Sequence, residues 1–299
     1  MNMAAPSVVV GIGEILWDFL PSGKQMGGAP ANFAYQARAL GAESVIVSAV
    51  GDDEPGREIL DVLDGQNLDR RHVSVLASVP TGSVTVRLDA QGTPEYDIHK
   101  NTAWDFLPWT SGMPELAARA DAVCFGTLAQ RSEVTGTTIR AFLDAVRPDA
   151  LRVLDLNLRQ SYYSREIVRG LLRQSNVLKL NDEELRSVAG LFSMSGSETG
   201  ILERLLGEYP LELIALTKGK SGSRLFGRNR ESEHPGYPVE TADSVGAGDA
   251  FTAALVVGLL KKKEWPDIGE QANRIASFVC SQRGAWPRIP ADLAAWFQE

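Results

Sequence analysis

Short apolar runs alternate with longer amphipathic segments along most of the chain. The runs are rich in Val, Ile and Leu and do not alternate with polar residues, which is typical of strands covered on both faces of a parallel sheet. The predicted strands span residues 8–12, 45–50, 122–125, 151–156, 177–180 and 213–217. Apolar residues at helical spacing predict helices over 30–40, 55–63, 132–146, 165–173 and 198–206. This order predicts right-handed βαβ units and an open α/β sheet.

Two segments break this rhythm and predict a small additional sheet. In 14–20 the side chains alternate between two faces, with Glu14, Leu16 and Asp18 on one and Ile15, Trp17 and Phe19 on the other. In 83–98 two short runs flank Gln91-Gly92, which predicts a hairpin. We expect these strands, contributed by about 13–25 and 81–106, to form a lid over the main sheet. Surface decoration is the alternative and is about as common as ligand covering.

The composition is that of an ordinary globular protein. With 44% hydrophobic and 23% charged residues among 299, disordered, collagen-like and coiled-coil chains are excluded. No internal repeat or low-complexity linker interrupts the sequence, so we expect one domain over 1–299. Cys124 and Cys280 are far apart in apolar runs, which indicates core residues in a reducing compartment rather than a disulfide or a metal site. Three His residues make a histidine metal centre improbable.

The net charge and the positions of acidic residues limit the kinds of partner that we expect for this protein. A net charge of -8 argues against binding to a nucleic-acid backbone, which requires a basic face. The apolar stretch over 8–20 is interrupted by Glu14 and Asp18, which argues against membrane insertion. The sequence therefore predicts a soluble cytoplasmic protein without nucleic-acid or membrane partners.

A glycine-rich turn before an apolar helix carries the strongest chemical signal. Gly246, Ala247 and Gly248 offer closely spaced backbone amides without bulky side chains, and the positive end of the following helix adds to them, so the turn predicts an anion cradle. Asp249 would repel a bound phosphate unless an alcohol lay between them to be deprotonated, which suits phosphoryl transfer with Asp249 as the base. Helix capping is the alternative. The preceding Asp243 and the apolar helix favour chemistry.

A second glycine turn enters the first predicted helix. Pro30 suits the first helical position, and Asn32 lies off the apolar stripe in the first turn. Asn32 is therefore available to a polar ligand that Gly28 allows close to the backbone. A plain tight turn is the alternative.

Polar residues also follow three predicted strands. Asn181-x-x-Glu184 has the spacing of a capping box, and it would also suit the water shell of a Mg²⁺ ion carried by nucleotide phosphates; both can hold together. Arg159 could bind a substrate oxygen or carboxylate, or form a surface ion pair. The segment 217–222 could line a nucleotide or be only a turn.

Taken together, these motifs resemble those of ribokinase-like (PfkB-type) carbohydrate kinases. The two glycine motifs, at 27–32 and 243–249, resemble the two signatures of that family, and the resemblance extends over 8–297. The intermediate motifs that match are Asn181-x-x-Glu184 and Thr217-x-Gly219-x-x-Gly222. Segments 14–18, 103–105 and 155–159 look most like the fructokinase branch.

The resemblance implies a three-layer α/β/α core, a mainly parallel sheet and a β-lid that closes over a sugar. It implies that Gly246, Ala247 and Gly248 form the anion hole and that Asp249 is the general base. It assigns the sugar to Asp18, Gly28, Asn32 and Arg159. It assigns the nucleotide to Thr217, Gly219, Gly222 and Asn273, with Asn181 and Glu184 serving Mg²⁺ through water. A K⁺ ion would be held by Asp243 and the backbone carbonyls of Val245, Val279, Gln282 and Gly284.

The resulting expectation is an ATP-dependent kinase that phosphorylates a primary hydroxyl of a ketohexose, with fructose favoured. Alternatives with the same fold are kinases of 2-keto-3-deoxygluconate, ribose or a nucleoside, and a more distant one is a sugar-sensing protein without catalysis. An exposed apolar lid face carrying Trp17 and Phe19 would allow a homodimer.

Overall fold

Thirteen strands and ten α-helices make up the described part of the chain, which in this computed structural model is residues 5–20, 23–88 and 94–298. The strands are β1 (Val8–Ile12), β2 (Leu16–Leu20), β3 (Gly23–Gly27), β4 (Glu43–Gly51), β5 (Val73–Leu76), β6 (Gly82–Leu88), β7 (Pro94–Ile98), β8 (Ala122–Phe125), β9 (Leu151–Asp155), β10 (Val177–Asn181), β11 (Leu213–Thr217), β12 (Ser223–Phe226) and β13 (Glu231–His234). The helices are α1 (Ala29–Ala39), α2 (Glu54–Gly65), α3 (Met113–Arg119), α4 (Glu133–Ala145), α5 (Arg165–Gln174), α6 (Asp182–Phe192), α7 (Glu198–Glu208), α8 (Ala247–Leu260), α9 (Trp265–Cys280) and α10 (Ala291–Ala295).

Nine of the strands form the central sheet, in the order β13-β12-β11-β10-β9-β8-β1-β4-β5. All neighbours pair in parallel except β11–β12 and β12–β13, which are antiparallel. The six predicted strands are confirmed within one or two residues at each end. Chain order reverses between β8 and β1, and ligands of α/β sheets bind outside the carboxyl ends of the strands at such a point.

Helices cover both faces of this sheet, which confirms the three-layer architecture. Successive β1 residues face opposite layers: Val10 packs in the cluster that contains α3 to α7, and Val9 packs in the cluster that contains α1, α8 and α9. Because both faces are covered, strand residues are apolar without alternation. The hydrophobic runs thus reflect burial on two sides.

Helix α8 lies almost entirely inside the protein. Its residues from Ala250 to Gly258 are buried, because the helix packs between α1, α9 and the sheet. Gly258 allows the close approach of α9, since a Cβ there would lie 2.9 Å from Ile268 Cγ1. A helix held on all sides fixes the position of the side chains at its first turn.

A separate four-stranded sheet, in the order β3-β2-β6-β7, lies over the carboxyl edge of the central sheet; we call it the lid sheet. Leu16, Asp18, Val84 and Ile98 of this sheet face a cavity above the central sheet. The predicted Gln91-Gly92 turn lies outside the described residues, and the strands on either side of it pair antiparallel, as a hairpin requires.

The outer face of the lid sheet differs from the prediction. Trp17 is not exposed: its indole is only 5% accessible, packs in a cluster with Ile59 of α2, and donates a hydrogen bond to the backbone oxygen of Pro55 at 3.0 Å. Phe19 is 41% accessible. The predicted alternation along β2 is present, but it turns Trp17 towards α2 instead of solvent. The exposed apolar face is therefore smaller than expected, and the homodimer stays a prediction.

Arg131 ties the lid sheet to the core. Its guanidinium makes two hydrogen bonds of 2.8 Å to the carboxylate of Asp105, lies over the ring of Trp104, and donates to the backbone oxygen of Ile98 at the end of β7. Both charged side chains are buried. Removing one of them would leave the other as an unpaired buried charge and would destabilise the protein. The 103–105 motif thus has a structural role in this fold. No helix within the described ranges is long and apolar enough to cross a membrane.

Candidate active site

One cavity of about 550 Å³ lies between the carboxyl edge of the central sheet, the first turn of α8 and the lid sheet. It brings together most of the predicted site residues. Those that line it are Asp18, Gly28, Asn32, Arg159, Asn181, Glu184, Val245, Gly246, Gly248 and Asp249. Five polar or charged residues that the sequence analysis did not assign also line it: Glu14, Asn157, Gln160, Lys179 and Ser244.

Asp249 is held in place by a chain of hydrogen bonds. Its Oδ2 accepts a bond of 2.8 Å from Asn32 Nδ2, and Asn32 Oδ1 accepts one of 2.7 Å from Trp286 Nε1. Because an indole can only donate, Trp286 fixes the orientation of the Asn32 amide. Trp286 is in turn stacked on Tyr35, with ring centroids 4.5 Å apart. Asn32 therefore positions Asp249. That Asn32 also contacts a sugar hydroxyl stays a prediction.

The surroundings of Asp249 suit a general base. The pKa of its carboxyl group is raised to about 6: burial is the largest cause and the nearby carboxylate of Asp155 adds to it, and together they outweigh Lys179, the Asn32 hydrogen bond and Arg159, which lower the pKa. A base works best when its pKa lies near the working pH, since it is then both ionised and basic enough to take a proton.

This pKa predicts the acid limb of the pH profile. We expect kcat/KM to fall below pH about 6 as Asp249 becomes protonated. In Asn32→Ala the limb should move to higher pH, because the lost hydrogen bond lowers the pKa of Asp249 in the wild type. The measurement is kcat/KM against pH for both proteins. A limb at the same pH in both would contradict the assignment of the limb to Asp249.

The predicted glycine turn lies at the start of α8, where its amides could hold an anion. Gly246 is the residue before the helix and has a φ of 77°, and a Cβ there would lie 2.7 Å from Ala285 Cα, so only glycine fits. The first amides of a helix have no partner within the helix and point towards its N-terminal side. Ala247 N donates only a long hydrogen bond of 3.4 Å, to Ser244 O, which an anion could replace. These amides are therefore available to an anion.

A buried ammonium group stands beside this cradle. Lys179 Nζ would lie 2.9 Å from a Cβ on Gly248, so the glycine allows the charge close to the cradle. Lys179 Nζ also bonds Asp155 Oδ1 at 3.0 Å, and Thr252 Oγ1 donates to Asp155 Oδ2 at 2.8 Å. Burial lowers the pKa of Lys179, but nearby carboxylates, Asp155 first, outweigh this and raise it, so the lysine stays charged. In the sequence, the position of Lys179 as the single charged residue of the apolar run 177–180 indicates that it is buried for a specific role.

Acidic groups face the opposite end of the cavity, below the lid sheet. Burial raises the pKa of Asp18 to about 6, with Arg159 lowering it and Asp243 raising it. A Cβ on Gly28, whose φ is 103°, would overlap the backbone oxygen of Glu14. The second glycine motif is therefore required by close backbone packing under the cavity.

We predict that Gly28→Ala destabilises the protein by about 1–3 kcal/mol. The backbone of alanine is strained at this φ, and its Cβ would overlap the backbone oxygen of Glu14. It should also lower kcat/KM, since Asp18 and Asn32 lie on either side of the turn. The matched control is Gly190→Ala in α6, where a Cβ meets open space and alanine should stabilise the helix by about 0.5–1 kcal/mol. Thermal and urea unfolding measure the stability of both variants, and steady-state kinetics measure kcat/KM. Equal stability of the two variants would show that the close packing at Gly28 is unimportant.

The capping box at the start of α6 is confirmed. Glu184 N donates to Asn181 Oδ1 and Asn181 N donates to Glu184 Oε2, each at 2.8 Å, and Glu184 Oε1 accepts from Leu158 N at 2.9 Å. Within the described residues no three His, Cys, Asp or Glu side chains are grouped to hold a metal ion directly. One buried carboxylate and one amide at a cavity suit a magnesium ion that keeps its waters and is bound mainly through phosphates.

The other predicted nucleotide residues do not line the cavity. Thr217 pairs in register with Asn181, so it sits at the same sheet edge one strand further along. Gly219 and Gly222 have φ values of 54° and 82° in the following loop. Asn273 Nδ2 donates to Ser223 Oγ and Gly269 O, both at 2.7 Å. Their contact with a nucleotide stays a prediction.

The predicted K⁺ ligands come from the segment before α8 and from the last turn of α9 with the loop after it, and Asp243 joins these two parts. Its Oδ1 accepts from Val245 N at 3.0 Å and its Oδ2 accepts from Gly284 N at 3.1 Å, while Gln282 N bonds Val279 O at 3.0 Å. In the part of the chain that the structure describes, Asp243 has no ion pair. A K⁺ ion at these residues stays a prediction.

The loop after β9 carries Arg159 at the rim of the cavity. Asn157 and Gln160 on either side of it have φ values of 42° and 47°, a region that non-glycine residues adopt at a cost of about 1–3 kcal/mol each. Such strain is concentrated at functional sites, and here it turns the chain so that Arg159 lines the cavity.

A ribokinase-like fold with a carboxylate beside an amide cradle defines a phosphotransferase of the carbohydrate-kinase class. The pattern of the family described as "pfkB family carbohydrate kinase" matches residues 22–292. The chain belongs to this family and is a carbohydrate kinase.

Individual relatives agree with this placement. A Pyrococcus horikoshii protein that is named as a putative sugar kinase is 29% identical over 98% of this chain and 96% of its own. Its structure in complex with ATP has a TM-score of 0.78 at 26% identity, covering 93% of this chain and 94% of its own. The fructokinase of Klebsiella pneumoniae is 30% identical over 83% of each chain. The structure of Vibrio cholerae fructokinase bound to fructose, ADP and calcium has a TM-score of 0.83 at 24% identity, covering 98% and 99%.

Proposed function

We propose that this protein transfers the γ-phosphoryl group of ATP to a primary hydroxyl group of a ketohexose, and that the ketohexose is fructose. The observation that carries the proposal is the Asp249 carboxylate, which Asn32 holds at the amide cradle where the cavity meets α8. Support for fructose comes from the relatives, among them the Klebsiella fructokinase and the Vibrio fructokinase that binds fructose and ADP.

Asp249 would act on the alcohol. As the sugar oxygen attacks the γ-phosphorus, its proton passes to Asp249 Oδ, a P–O bond forms, and the bond to the bridging oxygen of ADP breaks. Asn32 keeps the accepting oxygen in place through the transfer. ADP then leaves with the bonding electron pair.

Positive groups would stabilise the charge that develops on the moving phosphoryl group. The amides of Gly246, Ala247 and Gly248 and the Lys179 ammonium are already positioned before the reaction, so they need no reorganisation during it. Magnesium bound with ATP would neutralise phosphate charge, and Asn181 and Glu184 would hold its water shell.

The lid sheet would keep water away from the phosphoryl group. Leu16, Val84 and Ile98 give the cavity an apolar ceiling above the acidic groups. Excluding water suppresses hydrolysis of ATP and strengthens electrostatic interactions inside the site.

A second candidate acceptor is 2-keto-3-deoxygluconate, because Arg159 at the cavity rim could pair with its carboxylate. The carboxyl groups of Glu14 and Asp18 on the lid side oppose this, since they would repel a sugar acid. The arrangement therefore favours a neutral polyol.

The test is ADP release, measured with a coupled assay over fructose, ribose, 2-keto-3-deoxygluconate and adenosine. We expect kcat/KM to be highest for fructose. A higher value for another acceptor would overturn the substrate assignment, and absence of sugar-dependent ADP release with every acceptor would overturn the proposed activity.

A further inference from the structure

Trp286, in the loop after α9, is an aromatic residue that the proposed chemistry does not use. It does not line the cavity, but its indole reaches Asn32, which does. Trp286 Nε1 donates to Asn32 Oδ1 at 2.7 Å, and Asn32 Nδ2 donates to Asp249 Oδ2 at 2.8 Å. One amide group therefore connects a residue outside the cavity with the candidate base inside it.

The indole of Trp286 is held in a fixed place. Its ring is stacked on Tyr35, with centroids 4.5 Å apart and planes 14° from parallel. The backbone on either side is also fastened, because Gln36 Nε2 donates to Ala285 O at 2.7 Å and Tyr35 Oη donates to Pro287 O at 3.3 Å. Tyr35 and Gln36 belong to α1, the helix that also carries Asn32. The indole N–H and the amide that it meets are thus positioned by the same helix.

The two neighbours of the Asn32 amide set different requirements on its orientation. A carboxamide has a donor end and an acceptor end, and a half-turn of the group exchanges them. An ionised carboxylate at Asp249 requires the donor end, whereas a protonated carboxyl group can meet either end, since it can itself donate. The indole N–H of Trp286 requires the acceptor end in both cases. It therefore excludes the turned-over amide even when Asp249 carries a proton.

We propose that Trp286 is a positioning residue of the phosphoryl transfer, which keeps the NH₂ group of Asn32 donating to Asp249 whether or not the base is protonated. The inference rests on the proposed function and extends it to a residue outside the cavity. Without the indole N–H, the Asn32 amide would turn over when Asp249 is protonated and accept a hydrogen bond from it. The proton would then be held more tightly, and less of the enzyme would be ready to accept one from the sugar.

The test is the pH dependence of kcat/KM in Trp286→Phe, measured by ADP release with the acceptor that gives the highest activity. Phenylalanine keeps a ring that can stack on Tyr35 and removes the N–H. We expect the acid limb to move to higher pH by roughly 0.4–1 unit, the equivalent of one ordinary hydrogen bond, with the KM for ATP unchanged. Benzothienylalanine at position 286 has sulfur in place of the N–H in a ring of nearly the same shape. It should move the limb in the same direction, and it covers the case in which phenylalanine disturbs the packing.

A double variant shows whether the shift passes through the amide. Trp286→Phe leaves in place the other titratable and charged groups that interact with Asp249, which come from β8, β9, β10, the loop after β9 and the segment between β1 and β2. These groups are Cys124, Asp155, Lys179, Arg159 and Glu14. In an Asn32→Ala background, Trp286→Phe should move the limb by less than about 0.2 unit, because the group that transmits its effect is absent.

Two single variants are the controls. Trp109→Phe makes the same chemical change at a tryptophan that is 42% accessible, and it should behave as wild type in every assay. Tyr35→Phe keeps the stacked ring and removes the hydrogen bond to Pro287 O, so it loosens the segment that carries Trp286 without removing the indole N–H. Its acid limb should stay at the wild-type pH even where its melting temperature falls.

The possible results separate this inference from the proposed function. If no acceptor supports ADP release in the wild type, the proposed function fails and the inference fails with it. If the wild type is active and the limb of Trp286→Phe lies at the same pH or lower, the proposed function stands and the inference is overturned. A shift of equal size with and without Asn32, or an equal shift in Tyr35→Phe, would also overturn it, since the effect would then not depend on the orientation of the amide.

Discussion

Replacing Asp249 by Asn should lower kcat by roughly 10²–10⁴-fold while leaving the KM for ATP and for the sugar nearly unchanged. The amide has nearly the same shape but cannot take the alcohol proton, so the loss falls on the chemical step. Because Asp249 is a desolvated carboxyl group with a raised pKa, the neutral variant should be at least as stable as the wild type. Steady-state kinetics and thermal unfolding measure the two effects on the same preparation.

The matched control is Asp267→Asn. Asp267 also lies in the first turn of a long helix, α9, but is exposed there. It should show wild-type kinetics. An Asp249→Asn enzyme within about threefold of wild-type kcat would remove Asp249 from the role of base, because loss of a general base costs more than this.

Replacing Lys179 by Met should destabilise the protein by about 3–5 kcal/mol, because Asp155 is then left as a buried charge without its partner. The lost ammonium should also lower kcat by roughly 10²–10³-fold, as for other groups that stabilise charge in a transition state. It should raise the pKa of Asp249 further, since Lys179 lowers it in the wild type, so the acid limb moves to higher pH.

Two comparisons test the stability effect by urea unfolding. Adding Asp155→Asn to Lys179→Met removes the unpaired charge and should recover most of the lost stability but not the activity. Lys218→Met breaks a more exposed ion pair of similar length, 2.9 Å to Glu198 against 3.0 Å in the buried pair, and should cost at most about 1 kcal/mol. Equal losses for Lys179→Met and Lys218→Met would show that burial does not set the energy of the pair.

The raised pKa values of this cavity have one common cause. Burial is the largest contribution for Glu14, Asp18 and Asp249 alike, and neighbouring carboxylates add to it. Three weakly acidic carboxyl groups around one space give a site that can accept protons from hydroxyls near neutral pH.

The local sequence determined the backbone elements of this protein. Continuous apolar runs located β8 and β11, because strands covered on both faces are mostly apolar. The glycine motif located the start of α8, and the Asn-x-x-Glu spacing located the start of α6, because helix capping depends on neighbours within four residues. Missed strands such as β13 are short, half-exposed and rich in Glu, so their sequence carries no strand signal.

Only the tertiary structure decided which side chains meet. Asn32 reaches Asp249 across 217 positions and Trp286 across 254, because α1 and α8 pack side by side against the same face of the sheet. Lys179, Asp155 and Thr252 join in one buried network because β9 and β10 are neighbours and α8 lies over them. Trp17 turned inward for the same kind of reason, since α2 covers that side of the lid sheet. Residue spacing sets which way a side chain points along its own element, and the packing of the layers sets what it points at.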